Sequence, residues 1–208
     1  MKKQRFFMLG IITVLVAVLS LTFVSSTFAK YTTSNGGQDT ARVAYWGINI
    51  AASTPDIFDA EYNGTDGVTV QATENVLAPG TSKALADVSL SGTAEVDVNI
   101  TYTAEVTLTG WEVDGIYYCP LVVKVGSTTI NGNDCTDMAD FKNKIEDAVS
   151  SQSKKVEANQ SLGESIKISW EWAFHVDAAN DAKDTKLGQL AVAPTFSFDL
   201  TVTATQID

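Results

Sequence analysis

Four oxygen-bearing side chains, Asp177, Asn180, Asp181 and Asp184, crowd into one short stretch of this 208-residue chain. Hard oxygen donors set so close together suit Ca²⁺. Their spacing departs from an EF-hand loop, however, and a solvated acidic loop between two strands would carry the same residues. Carboxylates also gather at Asp56, Asp59 and Glu61, but nothing in their order brings two of them to a glycosidase separation. The single histidine, His175, follows Phe174 and so takes the outward phase of a strand. One histidine cannot furnish an ordinary zinc site, and HExxH, GxSxG, phosphate-loop and dinucleotide patterns are all absent. The residues point to a protein that is not an enzyme, with Ca²⁺ as the one cofactor they suggest.

Cys119 and Cys135 are the only cysteines. In an exported chain such a pair suggests a disulfide, whose loop would contribute about 3 kcal/mol in the chain-entropy model; two buried thiols are the alternative. Trp46, Trp111, Tyr117, Tyr118, Trp170 and Trp172 could together stack on a sugar. Trp170 and Trp172 nevertheless keep phase with Ile166, Ile168 and Phe174, which assigns those two to a core.

The elements that must position these groups are mostly strands. Val96, Val98, Ile100, Tyr102, Ala104, Val106 and Leu108 alternate with Asp97, Asn99, Thr101, Thr103, Glu105 and Thr107. A period of two over such a length means a half-buried strand, and at roughly 3.3 Å per residue it is long enough to predict a bend or bulge. The alternation recurs over 166–174 and 196–204, and more weakly at Ala84, Ala86, Val88 and Leu90. Val43–Ile50, 57–62 and 68–72 also read as strands, and 121–125 and 128–130 form a hairpin across Gly126-Ser127. One helix is predicted over about 137–149: Asp137 caps it, and Met138, Phe141, Ile145, Ala148 and Val149 line one face. Strands with one apolar face need a second sheet over them, so the predicted fold is a mainly β, jelly-roll-like sandwich with one inserted helix.

The start of the chain has a different character. Lys2, Lys3 and Arg5 precede an apolar run from Phe6 to Val24, which ends in Ser25, Ser26, Thr27, Phe28 and Ala29. That is the three-part pattern of a secretory signal, with cleavage predicted between Ala29 and Lys30; an uncleaved anchor is the alternative. Residues 1–29 are therefore read as signal peptide and 30–208 as a single domain. Cleavage removes three positive charges and no negative ones, taking the net charge from −11 to −14. Such a chain repels nucleic acid and anionic lipid, so neither nucleic acid nor, after cleavage, membrane is expected as a partner.

Three segments carry a resemblance. They are Thr27–Tyr31 with Ala41–Gly47, then Val76–Thr81, and finally Trp170-Glu171-Trp172 with Asp184–Gly188 and Thr201–Asp208. Together they resemble Gram-positive exported proteins of the TasA and camelysin type, whose precursors are cut by an ER-type signal peptidase. The resemblance implies a secreted jelly-roll subunit of a biofilm matrix or surface fibre. Its partners would be further copies of itself and sister matrix proteins. It also implies strand exchange, in which an N-terminal segment of one subunit completes a sheet of the next. The donor here would be Ala41, Arg42, Val43, Ala44, Tyr45, Trp46, Gly47 and Ile48, within residues 30–50. The same residues could instead pair inside their own domain. Camelysins are described as metalloproteases, an activity this chain lacks the histidines to share. A secreted glycan- or protein-binding module, with aromatics near Trp111 to Tyr118, is the alternative function; a Ca²⁺-dependent enzyme is the third.

Overall fold

The computed structural model describes residues 42–53, 58–65, 68–174 and 177–207. The chain divides into two units, Met1–Val43 and Ala44–Asp208, and the fold described is that of the second. The signal segment with its Ala29/Lys30 junction, Ala41 of the donor segment, and His175 lie outside the described residues.

Among the described residues twelve strands, two helices and one short 3-10 turn follow one another. The strands are β1 (Asn49–Ser53), β2 (Asp59–Thr65), β3 (Val68–Val76), β4 (Thr81–Gly92), β5 (Val98–Thr109), β6 (Glu112–Val113), β7 (Ile116–Tyr117), β8 (Leu121–Val125), β9 (Thr128–Asn131), β10 (Lys154–Val156), β11 (Leu162–Trp172) and β12 (Thr195–Gln206). The helices are α1 (Met138–Ser150) and α2 (Ala178–Gly188). A five-stranded antiparallel sheet runs β1-β4-β11-β8-β9, and a three-stranded one runs β10-β5-β12. The pairs β2-β3 and β6-β7 form separate ribbons. The molecule is thus mainly β, with a sandwich-like arrangement of antiparallel sheets. Among the described residues no helix is long and apolar enough to cross a membrane.

Alternation decides which face of each strand is inside. Val98, Ile100, Tyr102, Ala104 and Val106 of β5 are buried, while Asn99, Thr103, Glu105 and Thr107 between them are exposed. The partner strand β12 buries Phe196 and Phe198, and the five-stranded sheet contributes Val88, Leu90, Leu121, Val123, Ile168, Trp170 and Trp172 to the same core. Phe58 bridges the two sheets, its ring 5.7 Å from Trp170 and 5.8 Å from Phe196. Offset and edge contacts of this kind add to the burial of the rings themselves.

No bulge interrupts the long alternating strand where it pairs with β12. β5 keeps one unbroken register with β12 from Thr109↔Thr195 to Val98↔Gln206. The irregularity falls instead between β4 and β11, where the pairing shifts at Ile168/Ser169. An extra residue in one strand reverses its alternation. Ala84 is accordingly exposed although Val88 and Leu90 are buried.

Helix α1 forms as its sequence requires. The Asp137 carboxylate accepts a hydrogen bond from Asp140 N (2.8 Å), and Phe141, Ile145, Ala148 and Val149 are buried where the helix packs on β5, β8 and β9. The turn from β3 to β4 is equally local in origin. Pro79 precedes Gly80, whose φ of +81° suits the third position of a type II turn. Thr81 is fully buried, donates to Ala78 O (2.6 Å) and accepts from Ala78 N (3.2 Å). Gly80 N donates to Trp172 O (2.7 Å), which ties the turn to β11.

Candidate functional site

The acidic stretch is helical, not a loop, and this corrects two expectations at once: a second α-helix is present among the described residues, and the proposed Ca²⁺ ligands do not converge. Asp177 is the N-cap of α2; one carboxylate oxygen accepts from Ala179 N (2.9 Å) and Asn180 N (2.8 Å), the other from Asn180 Nδ2 (3.0 Å). Asp181 lies in the first turn, where the helix N-terminus favours a carboxylate. Asp184 turns inward, accepting from Tyr118 Oη (2.8 Å) and Trp172 Nε1 (3.2 Å). Among the described residues no group of three or more His, Cys, Asp or Glu side chains is arranged to hold a metal ion. The four residues build and dock a helix.

Asp184 is the electrostatically distinctive member. Burial raises its carboxyl above the usual acid range, and the bonds from Tyr118 and Trp172 oppose that rise. Burial likewise raises the Tyr118 phenol, as does its bond to Asp184. Beside the pair lies a recess of about 370 Å³ lined in part by Tyr117, Tyr118, Asn133, Lys183 and Asp184. Several of its polar groups are engaged within the domain. Asn133 Oδ1 accepts from Cys119 N (3.1 Å), Tyr117 Oη donates to Gly132 O (3.1 Å), and Lys183 Nζ sits 4.9 Å from the centre of the Tyr118 ring. The aromatic platform expected from the sequence is not formed. Trp111 is 1% exposed and donates to Thr195 O (2.8 Å), Tyr118 is buried, and the Trp111 and Trp172 rings meet within the core at 5.8 Å, tilted by 59°.

Cys119 and Cys135 are free, buried thiols, so the disulfide expected from their even number is corrected to the alternative. Burial pushes the Cys119 thiol up to about 12 and raises that of Cys135 as well. Exchange chemistry needs the thiolate, so both groups are held in an unreactive form. Cys135 Sγ has its own neighbours: Lys144 Nζ donates to it at 3.5 Å, and Asn131 O accepts from it at 3.5 Å.

The candidate donor segment is the remaining predicted site, described from Arg42 onward. Its regular strand begins later than the alternation suggested, at Asn49, where β1 takes the edge of the five-stranded sheet against β4. Before that, the contacts are isolated ones: Tyr45 N donates to Glu95 Oε2 (2.8 Å), and Ile48 packs against the core. Trp46 forms an isolated bridge with Ala94, Gly47 N donates to Thr93 O (2.9 Å), and Glu95 N donates to Tyr45 O (2.9 Å). Val43 is 90% exposed, Tyr45 58% and Trp46 43%. The backbone passes so close to Gly92 that a Cβ there would meet Gly47 O at 1.9 Å, and Gly92 itself has a φ of +102°. No motif marks Gly92 as a docking point, because its neighbour in space is about forty-five positions away in sequence; only the pairing of β1 with β4 brings the two together.

Comparison with protein-family models, with curated proteins and with solved structures returns no match to this chain.

Proposed function

We propose that this chain is a secreted structural subunit of a biofilm matrix or surface fibre. It assembles by exchange of its N-terminal strand between copies, on a sandwich of jelly-roll type. One observation carries the reading: the segment from Ala44 to Ile48 lies at a sheet edge and leaves Tyr45 and Trp46 exposed. A segment held by a few main-chain bonds, with apolar side chains in water, gives up little on leaving its own domain. It recovers the same bonds, and covers those side chains, when it adds to the matching edge of another copy. The secretory pattern at the start of the chain and the resemblance to TasA and camelysin sequences support the same assignment. So does the acidic composition, which suits a soluble extracellular protein.

Electron microscopy of the purified chain against one lacking residues 30–50 tests it. Filaments are expected from the first and not from the second. Gly92→Ala gives a second arm without removing the donor: a methyl group there excludes the Gly47–Ile48 backbone whichever copy supplies it, so filaments should again be lost. Filaments that persist unchanged in both variants would overturn strand exchange.

A further inference from the structure

The three-stranded sheet has two outer edges, and the molecule treats them differently. Ile207 N donates to Asp97 O (3.0 Å), one step beyond the Gln206↔Val98 pair. In an antiparallel ladder, bonded and non-bonded pairs alternate. The odd-numbered residues of β12 therefore bond to β5. The even-numbered ones, Phe196, Phe198, Leu200, Val202, Ala204 and Gln206, direct their N–H and C=O groups away from it. The opposite side of β5 gives an independent check. Its own even-numbered groups face away from β12: Tyr102 N donates to Ser153 Oγ (3.0 Å) and Val106 N to Glu146 Oε1 (2.9 Å).

The β5 edge is thus closed, by the short strand β10 over Val98–Ile100 and then by side chains from α1 and the loop after it. Among the described residues nothing pairs with the β12 edge. Nor does β12 carry the usual protections of an exposed edge. It has no proline, lysine or arginine and no bulge, and Asp199 is its one charged residue. Leu200, Val202 and Ala204 are only partly covered where they face the core.

We propose that the β12 edge is a docking surface for a second copy of this chain, pairing β12 with β12 in antiparallel fashion to make one continuous six-stranded sheet. The sequence of the strand is complementary to itself in one register. Outward-facing residues must pair with outward-facing residues, so the allowed registers differ by two. The register that sets Asp199 against the partner's Asp199 opposes like charges. The next places the two-fold axis at Leu200. It then sets Phe198 against Val202 and Phe196 against Ala204 on the apolar face, large side chains against small. On the polar face Asp199 meets Thr201, whose hydroxyl can donate to the carboxylate, and Ser197 meets Thr203. One further step would put Gln206 against Phe196. In a chain with a net charge of −11, this edge brings a single carboxylate per copy to the contact and gives it a donor.

The pairing is isologous and closes on itself, unlike strand exchange, so it joins copies in twos whether or not filaments form. Sedimentation velocity over a concentration series tests it, on the chain as expressed and purified from the cell. The unaltered chain should show a monomer–dimer equilibrium. Thr201 is exposed, so its substitution should leave the melting temperature unchanged. Thr201→Asp sets carboxylate against carboxylate at two symmetric positions and should weaken the dimer about tenfold, whereas Thr201→Lys should tighten it about tenfold. Hydrogen exchange should show concentration-dependent protection of the Phe198, Leu200 and Val202 amides. A chain monomeric at every concentration, two variants shifting the same way or not at all, or protection absent from those amides would overturn the proposal.

Discussion

Trp170 and Trp46 are the same side chain in opposite circumstances. Trp170, in β11 at the centre of the five-stranded sheet, is 1% exposed and meets Phe58 and Tyr62 with ring centres 5.7 and 6.1 Å away. Trp46, ahead of β1 at the edge of that sheet, forms an isolated bridge with Ala94 and is 43% exposed. A central strand has neighbours on both sides and a second sheet over its inner face, so an aromatic there is surrounded. An edge segment has one neighbour strand and much of its side-chain surface in water. The comparison separates what holds this domain together from what it offers to others.

The contrast breaks most visibly at the centre. Trp170→Ala should lower the unfolding free energy by about 3–5 kcal/mol, the range for a large aromatic removed from a packed core. Urea unfolding followed by tryptophan fluorescence measures it, with Trp111 and Trp172 remaining as buried reporters.

A smaller effect lies in Asp184, which ties α2 to the core. Its carboxyl is raised above the ordinary value, so the folded state binds the proton more tightly than the unfolded chain. This contribution is fully present below the unfolded value of about 3.9 and is lost as pH rises through the folded one. The stability of the unaltered chain relative to Asp184→Asn should therefore fall as pH is taken from about 3.5 towards 7. Asp97 and Asp140 act in the opposite sense: the bond from Lys155 holds the first carboxyl low, and the bond from Thr136 N holds the second low. Both are unchanged in the variant and cancel in the difference. A flat difference across that range would place Asp184 on the solvent side of the helix.

Smallest of all, Trp46→Ala should cost less than about 0.5 kcal/mol of stability, as for other substitutions at exposed sites. If the proposed exchange operates, the same change should nevertheless reduce filament yield sharply. A loss of stability comparable to that of Trp170→Ala would mean that the N-terminal segment belongs to the core.

Much of the core was legible because strand periodicity is a local property. Val98, Ile100, Tyr102 and Val106 declare their face by alternation, and Asp137 with the Phe141–Ile145–Val149 stripe declares a helix by capping and spacing. The second helix was not legible. Ala178–Gly188 has no apolar stripe, since Leu187 is its only buried residue, and its acidic residues read equally well as a solvated loop. What turns that stretch into a docked helix is Asp184 meeting Tyr118 and Trp172, which lie 66 and 12 positions away.

The same division holds for the candidate sites. Residue types and their order alone determined the acidic charge, the β character and the absence of familiar catalytic motifs, because each of these is carried by neighbours along the chain. The tertiary structure alone decided that the cysteines are separate buried thiols, that Trp111 and Tyr118 face inward, and that among the described residues the β5 edge is covered and the β12 edge is not. Those outcomes depend on which strands become neighbours, and that is set by pairings between residues tens of positions apart.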